Sequence, residues 1–297
     1  MKPPKIPTSG RANAGSKPRR SRPSRRKAAA GLVVLAGVIA ATTASILSSR
    51  PVLAPSSKNA THVRALENPL KDATPSPNFA TSCPGDQLDA ALACLTAIIG
   101  ATTHARHEEG VRPLSFDTAS YRRLSTAEQL FVLVNLERTA RGLAPFTVLS
   151  TQLDAIALTA AQSQVDPRMG ANPSLVGSGP VVDWGGNWGG NTYSAAGSNY
   201  IWMYEDGPGS YNVSCTPSTP TSCWGHRENI LSSYGSSAAA CAGRPVVLAM
   251  GAAEAPSDGA DPLPSFTELL TVSCGHVPTS VKMTWAAAQA LLGMTAA

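Results

Sequence analysis

The chain has 297 residues, 43% hydrophobic and 14% charged, which excludes a wholly disordered or coiled-coil protein and leaves ample length for a core. Its formal net charge is +5, yet residues 1–27 hold ten basic side chains and no acidic one, so 14 Lys and Arg face 19 Asp and Glu beyond them, a balance of −5. A domain with that balance has no basic face for phosphates, which excludes nucleic acid as its partner.

After the basic tail of residues 1–27 comes Ala28 to Leu47, an uncharged apolar stretch. About twenty residues at about 1.5 Å rise match a ~30 Å hydrocarbon core, and the flanking Lys and Arg keep the tail in the cytoplasm. Residues 28–47 are therefore predicted to be a transmembrane helix serving as signal-anchor or signal peptide. Thr42-Thr43-Ala44 offers small residues for cleavage, whereas the long basic region favours an uncleaved single-pass anchor. Either way the remainder of the chain is exported, as a membrane-tethered extracellular domain or a secreted one. All six cysteines lie beyond the span, and an even number outside the cytosol reads as disulfides. Fifteen connectivities are open; nearest-neighbour pairing is the expectation, with Cys83 to Cys94 tying the incoming chain to a helix.

Residues 48–82, rich in Pro, Ser and Ala, read as a disordered linker. Residues 83–119 read as a helical extension, with a helix over Asp86 to Thr103 whose Leu88, Leu92, Leu95, Ile98 and Ile99 form a stripe. His104 and His107 then share a helix face, which suits either a metal or a polar helix end stopped by Gly110. The main domain is expected over 120–280, opening with the capping box Ser125-Thr-Ala-Glu128 and a helix that Gly142 and Pro145 terminate. A second helix starts near Thr151, with Leu153, Ile156, Ala157 and Ala160 inward. Trp184-Gly-Gly-Asn187, repeated at once as Trp188-Gly-Gly-Asn191, reads as a glycine-dense loop. Pro245–Met250 and Phe266–Val272 read as strands of an antiparallel hairpin, which brings Cys241 beside Cys274. Residues 281–297 are expected to be a C-terminal helical tail.

Eight of the sixteen aromatic residues fall between Trp184 and Trp224, so they either line a ligand cleft or fill the core of a loop-rich domain. Within that stretch lie Trp202-Met-Tyr-Glu205 and then Gly225-His226-Arg227-Glu228-Asn229-Ile230-Leu231. The latter resembles the G-H-R-x-N-I-L signature of the bacterial CAP superfamily (cysteine-rich secretory, antigen 5 and pathogenesis-related proteins). Asn135-Leu-Glu-Arg138, with Gly142 and Pro145, resembles that family's opening helix.

The resemblance implies an α+β fold, a three-layer α/β/α sandwich with a mostly antiparallel central sheet. It also implies a cleft in which family members carry two His and two Glu, sometimes with a divalent metal. Glu205 and His226 match one Glu and one His. Gly185-Gly186-Asn187 stands where a G-E-N motif is expected, and residues 165–184 contain no histidine, so the cleft is degenerate. One Glu and one His fall short of a zinc site, and no cofactor is expected. Three roles are weighed for Glu205 and His226: hydrogen-bonding each other as a cleft wall, holding a ligand or metal, or acting as a catalytic acid–base pair. The leading expectation is a binding module, not an enzyme, whose partner is a cell-envelope lipid, glycan or protein. The alternative is an envelope hydrolase of peptidase type using Glu205 and His226.

Overall fold

The computed structural model describes residues 66–74, 76–83, 92–170, 174–175, 179–210, 212–234, 239–257, 263–275 and 278–294. The expected membrane span at 28–47 lies outside these residues, and among them no helix is long and apolar enough to cross a membrane. The fold is α+β.

The two apolar runs near the C-terminus form the centre of the sheet. Strands β4 (Val246–Ala255) and β5 (Ser265–Cys274) pair antiparallel from Val246↔Cys274 to Ala255↔Ser265. All ten residues of β5 are buried, as expected of a strand covered on both faces. Outward from this pair lie β3 (Gly179–Gly190), β2 (Ser174–Leu175), β1 (Val148–Ser150) and β6 (Val281–Thr284), in the order β2-β3-β5-β4-β1-β6. Among the described residues only β1 and β4 pair in parallel.

Successive side chains point to opposite faces of a strand, and helices cover both faces here. Leu248, Met250, Leu270 and Val272 join the cluster under α4 (Thr126–Ala140), α6 (Ala195–Tyr204) and α7 (Gly225–Leu231). Ala249, Leu269 and Val148 pack against Leu153 of α5 (Thr151–Ser163) on the other face. That helix approaches so closely that a Cβ at Gly251 would collide with the Leu153 backbone.

Helix α4 starts and stops where its sequence says it should. The Glu128 carboxylate accepts the Ser125 backbone N–H at 2.8 Å, and Gly142 closes the end at φ 73°. Asn135 takes both the N–H and the carbonyl of Phe146, at 2.7 and 3.0 Å. Arg138 donates to the Ile230 and Ser232 carbonyls at the end of α7, its guanidinium lying over the Phe146 ring. Burial without a carboxylate partner pulls its pKa down to about 10.

Four expectations are corrected. Trp184–Gly190 is not a loop but the length of β3, paired along β5 from Trp184↔Thr271 to Gly190↔Ser265. Its glycines serve a close approach, since a Cβ at Gly185 would lie 2.8 Å from the Asn229 Oδ1 and one at Gly186 would lie 2.5 Å from the Pro167 carbonyl. The supposed linker is bound to the domain over 66–74 and 76–83, where α1 (Phe79–Ser82) sinks Phe79 into the core. The helical tail opens with β6, which pairs antiparallel with β1 before α8 (Trp285–Leu291) begins. Finally, α2 (Leu92–Glu108) reaches beyond Thr103, and its His104 and His107 are exposed. His104 Nε2 lies 3.0 Å from the Thr74 carbonyl, so the reading of that pair as a polar helix end stands.

All six cysteines are bridged, Cys83–Cys94, Cys215–Cys223 and Cys241–Cys274, with no free thiol. Three disulfides suit an extracellular or secreted domain. Thiol labelling of the unfolded, unreduced chain is expected to modify no cysteine; two labelled thiols per chain would remove one bridge.

Candidate functional site

The site lies where α6 ends and α7 begins. Helix α6 terminates at Tyr204, which leaves Glu205 and Asp206 on the loop after it. Both side chains are buried, at 4% and 1% exposure. Trp224, at φ 65°, turns the chain into α7, and Asp206 satisfies the first turn of that helix. Its Oδ2 accepts the His226 backbone N–H at 2.9 Å, while Oδ1 meets the His226 ring Nδ1 at 2.7 Å. Asn212 donates to the same carboxylate at 2.7 Å.

The other ring nitrogen of His226 faces Asp166, Nε2 to Oδ1 3.8 Å. Asp166 is held in turn by the Trp188 backbone N–H at 2.9 Å. Burial disfavours the imidazolium, but the hydrogen bonds and charges of Asp166 and Asp206 outweigh it and raise the pKa to about 9. The shift favours the imidazolium, with Asp206 bonded to one ring nitrogen and Asp166 near the other.

Glu205 is not bonded to His226. Its Oε1 accepts the Ser76 hydroxyl at 2.7 Å. Desolvation raises its pKa, opposed by the hydrogen bonds from Ser76 and Tyr200 and assisted by the charge of Asp72. Glu205 and His226 nevertheless line one cavity of about 760 Å³, together with Asp166, Asp206, Trp188 and Tyr193. So the two residues expected from the sequence share a depression, but each is anchored by another residue. Among the described residues no group of three or more His, Cys, Asp or Glu is arranged to hold a metal ion.

Beneath the cavity lies a buried polar floor. Asn187 Nδ2 donates to the His226 carbonyl at 3.1 Å and to Glu268 Oε1 at 2.7 Å, and its Oδ1 accepts from Asn229 at 2.8 Å. Thus the Gly185-Gly186-Asn187 segment meets the signature helix through its asparagine. Glu268, on β5, is fully buried, and desolvation raises its pKa to about 8 against the opposing effects of Asn187 and His226. Among the described residues its Oε2 has no hydrogen-bond partner.

Asp166, Asp206 and Glu268 were missed by sequence reasoning. Glu268 carried a signal, being an acid inside the apolar run Phe266–Val272, where a charge is seldom tolerated without a role. Asp206 merely follows Glu205, and Asp166 sits in an irregular stretch; neither has a pattern to betray it. The aromatic cluster divides between its two readings. Tyr200, Tyr204 and Trp224 are buried in the domain and Trp184 is exposed, whereas the buried Trp202 lines the cavity together with the half-buried Trp188 and Tyr193. Tyr193 is held there at φ 69°, a conformation a non-glycine residue adopts only when its surroundings enforce it. Tyr211 lies outside the described residues.

No family model, curated protein or solved structure matches the chain.

Proposed function

We propose that the chain is an extracytoplasmic domain of CAP type, a three-layer α/β/α sandwich carried on the apolar span at 28–47 or released by its cleavage. Its cleft binds a component of the cell envelope. The order of the Asn135–Pro145 and Gly225–Leu231 motifs, the helices on both sheet faces and the mostly antiparallel strands support this fold. The observation that carries binding over chemistry is that other groups engage the two residues: Asp206 holds the His226 ring at 2.7 Å and Ser76 donates to Glu205 at 2.7 Å, so they are not paired as acid and base.

The raised pKa of the buried Glu205 favours the alternative, a hydrolase with Glu205 as acid. One experiment separates them: the purified protein is titrated against envelope lipid, glycan and protein fractions while product release is followed. Saturable binding without turnover, weakened at least tenfold in His226→Ala, is the expected result. Turnover abolished by His226→Ala in a variant whose circular dichroism shows it still folded would establish the hydrolase.

A further inference from the structure

In the segment preceding the domain, Ser76 lines the cleft beside Glu205, and the residues before it are tied to the elements that carry the site. Asn68 donates to the Glu228 carboxylate at 2.7 Å, and Asp72 accepts the Gly207 N–H at 2.8 Å. The Ala73 N–H donates to the Tyr204 carbonyl at 2.9 Å, and Ser76 reaches Glu205. Only a glycine at 207 lets Asp72 come so near, since a Cβ there would lie 2.7 Å from its Oδ1. Three of the four contacts converge on residues 204–207, which deliver Glu205 and Asp206 to the site, and the fourth reaches Glu228 of α7.

Two parts of this segment are held in different ways. Phe79, at 4% exposure, meets Tyr200 and Tyr193 edge-on, with ring centroids 5.3 and 6.4 Å away, and Cys83 is bridged to Cys94. Upstream of Phe79 no described residue of the segment is buried, and Leu70 is 98% exposed. Apart from the partly buried Ala73, which packs against the core, that upstream part rests on hydrogen bonds worth about 0.5–1.5 kcal/mol each. Segments with few buried apolar contacts open locally, long before the domain unfolds.

We infer that residues 66–74 with Ser76 form a strap that swings off the Glu205 end of the cleft about Pro77-Asn78. On this inference the Ser76 hydroxyl holds the place of a hydroxyl of a neutral glycan. The ligand class rests on the binding reading above; the strap does not. Asp166, Asp206 and Glu205 outnumber the single cation His226 and disfavour an anionic ligand. Trp188 and Tyr193 line the cavity half-buried, aromatic surface of the kind on which a sugar packs, and Glu205 accepts a hydrogen bond from a ligand hydroxyl as it now does from that of Ser76. A ligand that binds only the open form has its affinity reduced by the open fraction.

Hydrogen exchange of the full chain tests the strap, and titration with an N-acetylglucosamine tetramer tests its occupant. Exchange at Ala73 and Gly207 is expected to be at least a hundredfold faster than along β5. It should quicken at least tenfold more in Ser76→Asp, which sets a carboxylate against Glu205, and less in Ser76→Ala, while β5 stays unchanged. Exchange of these amides in step with β5 in all three proteins would make the segment a fixed wall and overturn the strap. The tetramer is expected to bind Ser76→Asp at least tenfold more tightly than the parent chain. Equal affinity overturns the gating. Binding of anionic-lipid vesicles but not of the tetramer, with fast exchange retained, overturns the glycan and leaves the strap standing.

Discussion

Glu137→Ala lowers the unfolding free energy by about 3–5 kcal/mol, the scale for removing one member of a buried ion pair. Glu137 is fully buried on α4, and its Oε2 meets Arg106 of α2 at 2.9 Å and Arg141 at 2.5 Å. The Tyr204 hydroxyl donates to the same oxygen at 2.8 Å. Desolvation pushes the carboxyl pKa up, but Arg106 and Arg141 together hold it below the usual glutamate range. Arg141 and Arg227 also share Glu109, at 2.5 and 2.9 Å. Without Glu137, Arg106 and Arg141 remain in the core with one carboxylate fewer between them, and this is where the destabilisation arises. Because Arg227 and Tyr204 flank the site loop, the variant should also loosen the junction that presents Glu205 and Asp206. Urea unfolding followed by tryptophan fluorescence measures the loss. A change under about 1 kcal/mol would mean that the cluster is solvated and contributes little.

The domain loses stability as pH rises above about 5, and Glu268→Gln removes a large part of that dependence below about pH 6.5, before His226 begins to contribute. Glu268 is protonated in the folded state up to about pH 8, whereas an unfolded glutamate releases its proton near about 4.3. Between these values the folded chain holds the extra proton, so its stability falls with rising pH. The slope is at most about 1.4 kcal/mol per pH unit for one proton. His226 acts in the same direction at higher pH. Its raised pKa supplies stability that is complete below about 6.5 and lost as pH rises through about 9. Asp72, Asp154 and Glu205, raised chiefly by desolvation, add the same sign from lower pH. Subtracting the Gln variant's profile from that of the parent chain therefore isolates Glu268. The variant is expected to be more stable at pH 8 by about 2–4 kcal/mol and nearly equal at pH 5, in unfolding titrations across pH 5–9. Parallel profiles would show that water reaches the buried carboxyl.

Much of the scaffold was legible from the sequence because its signals are local. A capping box, a terminating glycine and runs of alternating or continuous apolar residues act within one element. They place α4, α5, β4 and β5 close to where the structure has them. The bridge between Cys241 and Cys274 followed from hairpin register alone. The β3 strand was not legible, since its glycines lack the side chains from which a strand is recognised. They are there because Asn229 and Pro167 press on the backbone, and both belong to other elements.

For the site, the resemblance of Trp202–Glu205 and Gly225–Leu231 to the CAP motifs named Glu205 and His226, which line one depression. What each of them does there depends on partners supplied by the fold. Asp206 and Asp166 set the charge of His226, β5 buries Glu268 beneath it, and a segment 129 residues upstream supplies Ser76 to Glu205. Protonation depends on burial and on charges within a few ångströms. Neither quantity exists until residues distant along the chain are brought together.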